Sequence, residues 1–134
     1  MKRTILILAA IFFALSAAAQ TELPGLMKMD RSVHDFGEIA IQDGPVSCSF
    51  TLTNTSEAPF EILSVVSSCG CTGVKWTRKT LSPGESGRID ATYSNDEGPG
   101  TFDKRLTVYL SAIKRPVILH IKGTAVDRKK NSFE

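Results

Sequence analysis

The chain has 134 residues, of which 42% are hydrophobic and 22% charged, with a formal net charge of +2. This length suits one domain, and the composition argues against a disordered tail protein. Three cysteines are too few for a disulfide-stapled miniprotein. The small net charge gives no sign of nucleic-acid binding. No Walker loop, Rossmann fingerprint or zinc-finger spacing is present.

The N-terminus has the three-part layout of a secretory signal peptide. Lys2 and Arg3 precede an apolar run over residues 5–15, and small residues occupy positions 16–19. The alternative is a retained membrane anchor, but such a run reaches only ~16 Å as a helix, about half of the hydrocarbon core. We therefore expect cleavage after Ala19. The mature chain would have no net charge and no membrane span, and it would enter an oxidising compartment.

Residues 20–30 are expected to form a lead-in linker, because Pro24-Gly25 interrupts regular structure and the apolar residues there follow no period. A short strand or a packed arm is the alternative. From Arg31 onward, short segments alternate between apolar and polar residues. The clearest is 46–53, in which serines and threonines separate the apolar side chains. In 60–67 the alternation slips between Leu63 and Val65, which indicates a bulge or burial on both faces.

Further alternating segments cover residues 74–76, 89–93, 102–110 and 117–121, and turns rich in Gly, Pro and Asn separate them. No stretch of ten residues shows the 3.6-residue period of a helix. The pattern predicts an all-β fold over residues 31–126, an antiparallel β-sandwich of about seven strands. A small closed barrel is the alternative. Residues 127–134 are expected to form a polar tail.

The cysteines give the most pointed chemical signal. In an extended chain, the Cα atoms of Cys69 and Cys71 would be ~6.6–7.2 Å apart, at or beyond the ~4.4–6.8 Å range of disulfides. Gly70 could tighten the turn enough to allow a bridge. Such a bridge would stabilise the fold by roughly 1.6 kcal/mol at best, so it would suit a redox couple better than a structural crosslink.

Other states of the cysteines stay open. A bridge from Cys48 to Cys69 or Cys71 would contribute roughly 3.4 kcal/mol and leave one free thiol. Alternatively, Cys48 is a small buried apolar residue on the inner face of its strand. The two sulfurs of the Cys-Gly-Cys turn would also suit Cu(I) or zinc. Beyond carboxylates, only His34, His120 and Cys48 could complete such a site, so we predict no metal and no other cofactor.

Catalysis is not expected, because the chain has no serine nucleophile elbow and neither histidine has a neighbour that suggests activation. We expect a non-enzymatic module that binds another protein or a cell-envelope component. Its contact surface would use exposed edge strands or the loop from Cys69 to Trp76, with Thr72 and Trp76 as candidate contact residues. For Trp76 the alternative is core packing beside the cysteine turn. The second hypothesis is a thiol-redox or soft-metal-handling protein that uses Cys69 and Cys71, with Cys48 as a further candidate.

Several of these elements together resemble one bacterial family. They are His34-Asp35-Phe36-Gly37, residues 60–66, Ser68-Cys69-Gly70-Cys71-Thr72, Trp76 and Leu81-Ser82-Pro83-Gly84-Glu85. From about Val33 to Val126 the chain is similar to the exported "domain of unknown function 1573" family. The resemblance implies an immunoglobulin-like sandwich of the Hydin and major-sperm-protein type, a Gram-negative host and a periplasmic or secreted location. It implies no catalytic residue, and Cys48 is not part of the shared pattern.

Overall fold

The computed structural model describes residues 22–23 and 25–128. The expected signal peptide and most of the expected polar tail lie outside this range. The described residues form nine strands and one 3-10 turn, Ile41–Asp43. The strands are β1 Glu22–Leu23, β2 Met27–Met29, β3 Val33–Ala40, β4 Val46–Asn54, β5 Ile62–Ser67, β6 Thr72–Trp76, β7 Ser86–Tyr93, β8 Gly100–Leu110 and β9 Val117–Val126. Within the described residues, no helix is long and apolar enough to cross a membrane.

The strands form two sheets, in the orders β1-β2-β4-β7-β6 and β3-β9-β8-β5. This confirms the predicted all-β, immunoglobulin-like sandwich, and the two separate sheets exclude the closed-barrel alternative. Every pairing is antiparallel except that of β3 with β9, which is parallel. The two strands beyond the predicted seven are β1 and β2, and both are very short.

The segment expected to be a linker contributes to the sandwich. Strand β2 pairs with β4 in the register Met27↔Asn54 and Met29↔Leu52, and both methionines are buried in the core. A strand of three residues is too short to establish a period, so the sequence pattern does not distinguish it from an irregular arm. The sandwich therefore begins before Arg31.

The core lies between the inner faces of the two sheets. Its largest fully buried members include Tyr93 and Phe50, and the ring of Tyr93 stacks on that of Phe102 with centroids 4.0 Å apart. Of the two alternatives predicted for β5, the structure shows the bulge, which shifts the β5–β8 register between Ile62 and Ser64, one residue before the slip in the sequence pattern. This bulge leaves Leu63 exposed while Ile62 remains inside.

Candidate functional site

The Cys-Gly-Cys turn connects β5 to β6 and so passes from one sheet to the other. Cys69 and Cys71 form a disulfide, and their Cα atoms are 5.1 Å apart, inside the usual range for bridges. The turn therefore shortens the spacing that an extended chain would have. Gly70 has open space where a Cβ would stand and has no positive φ, so the turn does not require glycine.

Several hydrogen bonds shape this turn. The backbone N–H of Cys71 donates to Sγ of Cys69 at 3.1 Å, and the N–H of Cys69 donates to Oγ of Ser67 at 3.2 Å. The Cys69 carbonyl accepts from the N–H of Thr72 at 3.2 Å, and the Cys71 carbonyl accepts from the N–H of Ser94 at 2.8 Å. The backbone path of the turn is thus fixed by contacts other than the bridge.

A carboxylate from another part of the chain faces the disulfide. An oxygen of Glu97, in the β7–β8 connection, and both bridge sulfurs all lie within 4.8 Å of one another. Oε1 of Glu97 accepts a 2.7 Å hydrogen bond from the hydroxyl of Tyr93 and pairs with Nζ of Lys104 at 2.9 Å. The hydrogen bonds from Tyr93 and Lys104 hold the pKa of Glu97 below its usual value. Burial, followed by the contact with Glu97, raises the pKa of Tyr93 to about 12.

Sequence reasoning did not connect Glu97 or Lys104 with the cysteines. The connection depends on strand register, because Thr72 pairs with Tyr93 across β6 and β7. In antiparallel strands, the residues that follow Tyr93 therefore lie beside those that precede Thr72. Glu97 lies in a glycine-rich loop of the sequence. Its spacing from the cysteines does not indicate how β6 is aligned with β7.

Cys48 is the free cysteine among the described residues. It pairs with Ala91 across β4 and β7, is partly buried and packs against the core. Burial raises the pKa of its thiol to about 11, although Arg31 acts in the opposite direction. The bridges considered from Cys48 to Cys69 or Cys71 are not formed, and the structure favours its interpretation as an apolar packing residue.

Thr72 and Trp76 occupy the two ends of β6. Thr72 is only 6% exposed, so its side chain offers almost nothing to a partner. Trp76 is partly buried and packs against the core, while the guanidinium of Arg78 lies 3.9 Å from the centre of its ring. For both side chains the structure favours packing over the contact surface expected from the sequence.

The two histidines have their polar contacts with other residues. Nδ1 of His34 is 3.2 Å from a guanidinium nitrogen of Arg31, and its ring packs edge-on against Phe36. His120 pairs with Asp103 at 2.7 Å. Neither histidine joins the cluster of potential metal-binding atoms that the described residues form around the two cysteines.

The outer face of the sheet β3-β9-β8-β5 carries exposed apolar side chains. In the described part of the chain, the large exposed hydrophobic residues are 38% to 54% exposed and all belong to this sheet. They are Val33, Leu63, Val66, Tyr109 and Ile118. Val66, Thr107 and Ile118 form one row across three strands. We call this set of five residues the apolar face.

The outer face of the other sheet carries hydroxyl side chains in place of apolar ones. Between β4 and β7, hydroxyl side chains form two cross-strand hydrogen bonds, one between Ser47 and Thr92 and one between Thr53 and Ser86, each 2.8 Å long. Ser49 donates to Asp90, which helps to lower the pKa of that carboxyl group. These polar groups already have partners within the sheet, so the two faces of the sandwich differ sharply in chemistry.

Together the two sheets and the cysteine turn define an immunoglobulin-type β-sandwich with a disulfide at one end. The chain belongs to the family described as "Protein of unknown function (DUF1573)", whose model matches residues 27–125. The resemblance inferred from the sequence is thereby confirmed. No curated protein is significantly similar in sequence.

Solved structures share the fold at low sequence identity. A protein of unknown function from Porphyromonas gingivalis W83 is 20% identical, with a TM-score of 0.63, over 84% of this chain and 50% of that one. The VesB protease of Vibrio cholerae is 21% identical, with a TM-score of 0.58, over 74% and 32%. WR4, a major-sperm-protein (MSP) family member from C. elegans, is 9% identical, with a TM-score of 0.52, over 76% and 99%. This chain thus spans half or less of the two bacterial proteins, and the likeness concerns the fold alone.

Proposed function

We propose that this chain is a non-enzymatic module that binds another protein through the apolar face. The observation that carries the proposal is the concentration of exposed apolar side chains on one sheet. Single exposed apolar residues are ordinary on protein surfaces, whereas a contiguous patch typically marks an interaction site. The hydrogen-bonded hydroxyls on the opposite sheet supply no comparable patch.

Charge indicates the chemistry of the partner. Arg105 lies on β8 two residues before Thr107, and Lys114 and Arg115 lie in the connection between β8 and β9. All three are exposed, and none forms an ion pair within the described residues. A fitting partner is a protein with an apolar patch bordered by Asp or Glu side chains, because such a border would pair with these cations.

The proposal includes export to the periplasm or to the outside of a Gram-negative cell. Its support is the three-part signal at residues 1–19 and the presence of a disulfide, which persists in oxidising compartments. The intact mass of protein recovered from its native host tests this part. We expect a chain that begins at Gln20, and a recovered chain that retains residues 1–19 would contradict cleavage.

Site-specific crosslinking in the native host tests the docking surface. A photo-crosslinking amino acid at Tyr109 is expected to give a discrete adduct with another protein. The matched control carries the same group at Thr51, which is exposed on β4 in the opposite sheet. Replacing Val66 and Ile118 by Ser should abolish the Tyr109 adduct, because it removes apolar area from the middle of the patch.

The partner chemistry is tested on the captured complex. Reversing the charge of Arg105 (Arg105→Glu) should weaken the complex and reduce its dependence on salt. Equal adducts from positions 51 and 109, or an adduct that survives the Val66 and Ile118 substitutions, would contradict the proposal. So would an adduct that consists only of a second copy of this chain, since the face would then be a homodimer interface.

A further inference from the structure

We infer that the Cys69–Cys71 disulfide is a thiol–disulfide exchange site that accepts electrons from a dithiol in a protein or peptide. The inference goes beyond the proposed docking function and does not depend on it. It is carried by the position of the bridge, the unequal hydrogen bonds to its two sulfurs and the charged pair beside it.

The fold around the bridge is held by other contacts. Before the turn, the N–H of Ser68 donates to the carbonyl of Arg105 at 2.9 Å. After it, β6 pairs with β7 from Thr72 onward, and Ser94 binds the carbonyl of Cys71. A crosslink between residues two apart removes little freedom from the unfolded chain. The bridge is therefore poorly placed to act as a staple.

The bridge lies at the edge of the core and is partly accessible, although Cys71 also packs against core residues. Both Cys69 and Cys71 are partly exposed, and Gly70 between them is exposed and carries no side chain. An incoming thiolate must approach a sulfur along the S–S axis, so access of this kind is a requirement for exchange. The turn lies at the end of the sandwich, where β5 and β6 join the two sheets.

The two sulfurs are not equivalent. Both sulfurs have a hydrogen-bond contact, but the N–H of Cys71 donates to Sγ of Cys69 at 3.1 Å, whereas the hydroxyl of Thr72 lies farther from Sγ of Cys71, at 3.8 Å. A hydrogen bond to a sulfur stabilises it as a thiolate, and the better-stabilised thiolate leaves faster. This geometry makes Cys69 the leaving sulfur and Cys71 the sulfur that is attacked.

The exchange balances in two steps. A substrate thiolate attacks Sγ of Cys71, the bridge breaks, and the electron pair goes to Sγ of Cys69 while a mixed disulfide forms on Cys71. The second substrate thiol, as its thiolate, then attacks the substrate sulfur and releases Cys71. The substrate is oxidised to a disulfide, the bridge is reduced to two thiols, and the two substrate protons end on Cys69 and Cys71.

Glu97 and Lys104 set the charge at the site. The carboxylate of Glu97 lies close to both sulfurs and would repel a thiolate formed there, while the ammonium of Lys104 sits 2.9 Å from that carboxylate and offsets its charge. The Tyr93 hydroxyl holds the same carboxylate from the core side. The Glu97 carboxylate and its two partners therefore tune how readily Cys69 leaves. They act by positioning charge and do not themselves react.

The test uses the purified protein with all three cysteines present. It is mixed with a reduced synthetic peptide that contains two cysteines, quenched in acid, alkylated and weighed as an intact chain. We expect one peptide disulfide for each bridge opened, at a rate at least ~10-fold above that of equimolar oxidised glutathione. With a peptide that contains one cysteine, fragmentation should locate the mixed disulfide on Cys71.

Controls keep the test decisive. Cys48→Ser removes the remaining thiol and should leave the transfer unchanged, whereas the double substitution Cys69→Ser and Cys71→Ser should abolish it. Circular dichroism of the double variant confirms that the fold persists. A bridge that stays closed in the presence of the peptide, or transfer no faster than that of oxidised glutathione, would overturn the inference. A mixed disulfide located on Cys69 would overturn the assigned direction of attack.

Discussion

The hydroxyl of Tyr93 donates a 2.7 Å hydrogen bond to the carboxylate of Glu97, and this contact links the core to the cysteine turn. The ring of Tyr93 is fixed by stacking on Phe102, and its strand position is fixed by pairing with Thr72. The carboxylate is therefore positioned against the disulfide by the sandwich itself and not by the turn.

Glu97 and Lys104 are expected to affect the exchange in opposite directions. Glu97→Gln removes a negative charge near the leaving thiolate, and Lys104→Met removes the cation that offsets it. A change of about one pKa unit in the leaving thiol corresponds to roughly threefold in rate. We therefore expect Glu97→Gln to speed opening of the bridge by reduced glutathione about threefold, and Lys104→Met to slow it by a similar factor. The rates are read from intact mass after alkylation, and changes of the same sign in both variants would contradict this account.

Cys48 is expected to react slowly with alkylating reagents. With a pKa of about 11, its thiolate is roughly one part in a thousand at pH 8, compared with about a quarter for an ordinary thiol. Its partial burial adds a steric barrier. In the native protein we expect labelling by iodoacetamide to be at least ~10-fold slower than that of free glutathione. In strong denaturant this difference in rate should disappear. If the native protein were labelled as fast as free glutathione, the Cys48 thiol would not be shielded.

The fold was predictable from the sequence wherever a strand was long enough to alternate. Strand β4 shows this best, since its apolar residues point inward and its serines and threonines form the hydroxyl face. Strand β2 was only the alternative to a linker, because three residues contain too little pattern to decide between the two. The parallel pairing of β3 with β9 was also beyond the pattern, since alternation shows which face a residue occupies but not which strand lies beside it.

The candidate site was predictable only in part. The spacing of Cys69 and Cys71 indicated a possible bridge across the turn, and this disulfide is present. The neighbours Glu97 and Lys104 depend on strand register, which a single sequence does not reveal. Thr72 follows the cysteines directly in the sequence, but the orientation of its side chain depends on how β6 packs, and the side chain is buried.

Acid should weaken the turn that contains Glu85. Its carboxylate accepts from the N–H of Ser82 at 2.9 Å and pairs with Nζ of Lys79 at 2.8 Å. The hydrogen bond from Lys79, followed by those from Ser82, lowers the pKa of Glu85 from 4.5 to about 2. Because the folded-state pKa lies below the unfolded value, the stabilisation is complete above pH 4.5 and is lost as the pH falls toward 2.

The Glu85→Gln variant should accordingly lose part of this acid dependence. We expect it to be less stable than the wild type at neutral pH, with the difference shrinking between pH 4.5 and 2. The urea midpoint, followed by fluorescence of Trp76 over this pH range, measures the effect. Glu57→Gln, at an exposed turn residue, is the control and should track the wild type. An unchanged difference between Glu85→Gln and wild type at every pH would contradict the prediction.

Gly123 should tolerate a side chain poorly. Strand β3 bulges between Asp35 and Glu38, where Gly37 has a φ of +69°, and this bulge brings the Gly37 carbonyl against β9. A Cβ at position 123 would lie 2.9 Å from that carbonyl oxygen and 2.9 Å from Cζ of Phe102. Backbone and a packed aromatic ring both resist displacement, so overpacking of this kind costs about 1–3 kcal/mol.

Substitution by alanine at two strand glycines tests this argument. Gly123→Ala is expected to lower the free energy of unfolding by about 1–3 kcal/mol, measured from urea titrations. Gly73 on β6 is the matched control, because nothing lies within 4 Å of its Cβ position, and Gly73→Ala should change stability by no more than about 0.5 kcal/mol. If both variants were equally stable, the bulge of β3 would be able to move away from β9. The parallel pairing at that end of the sheet would then be looser than the packing around Phe102 indicates.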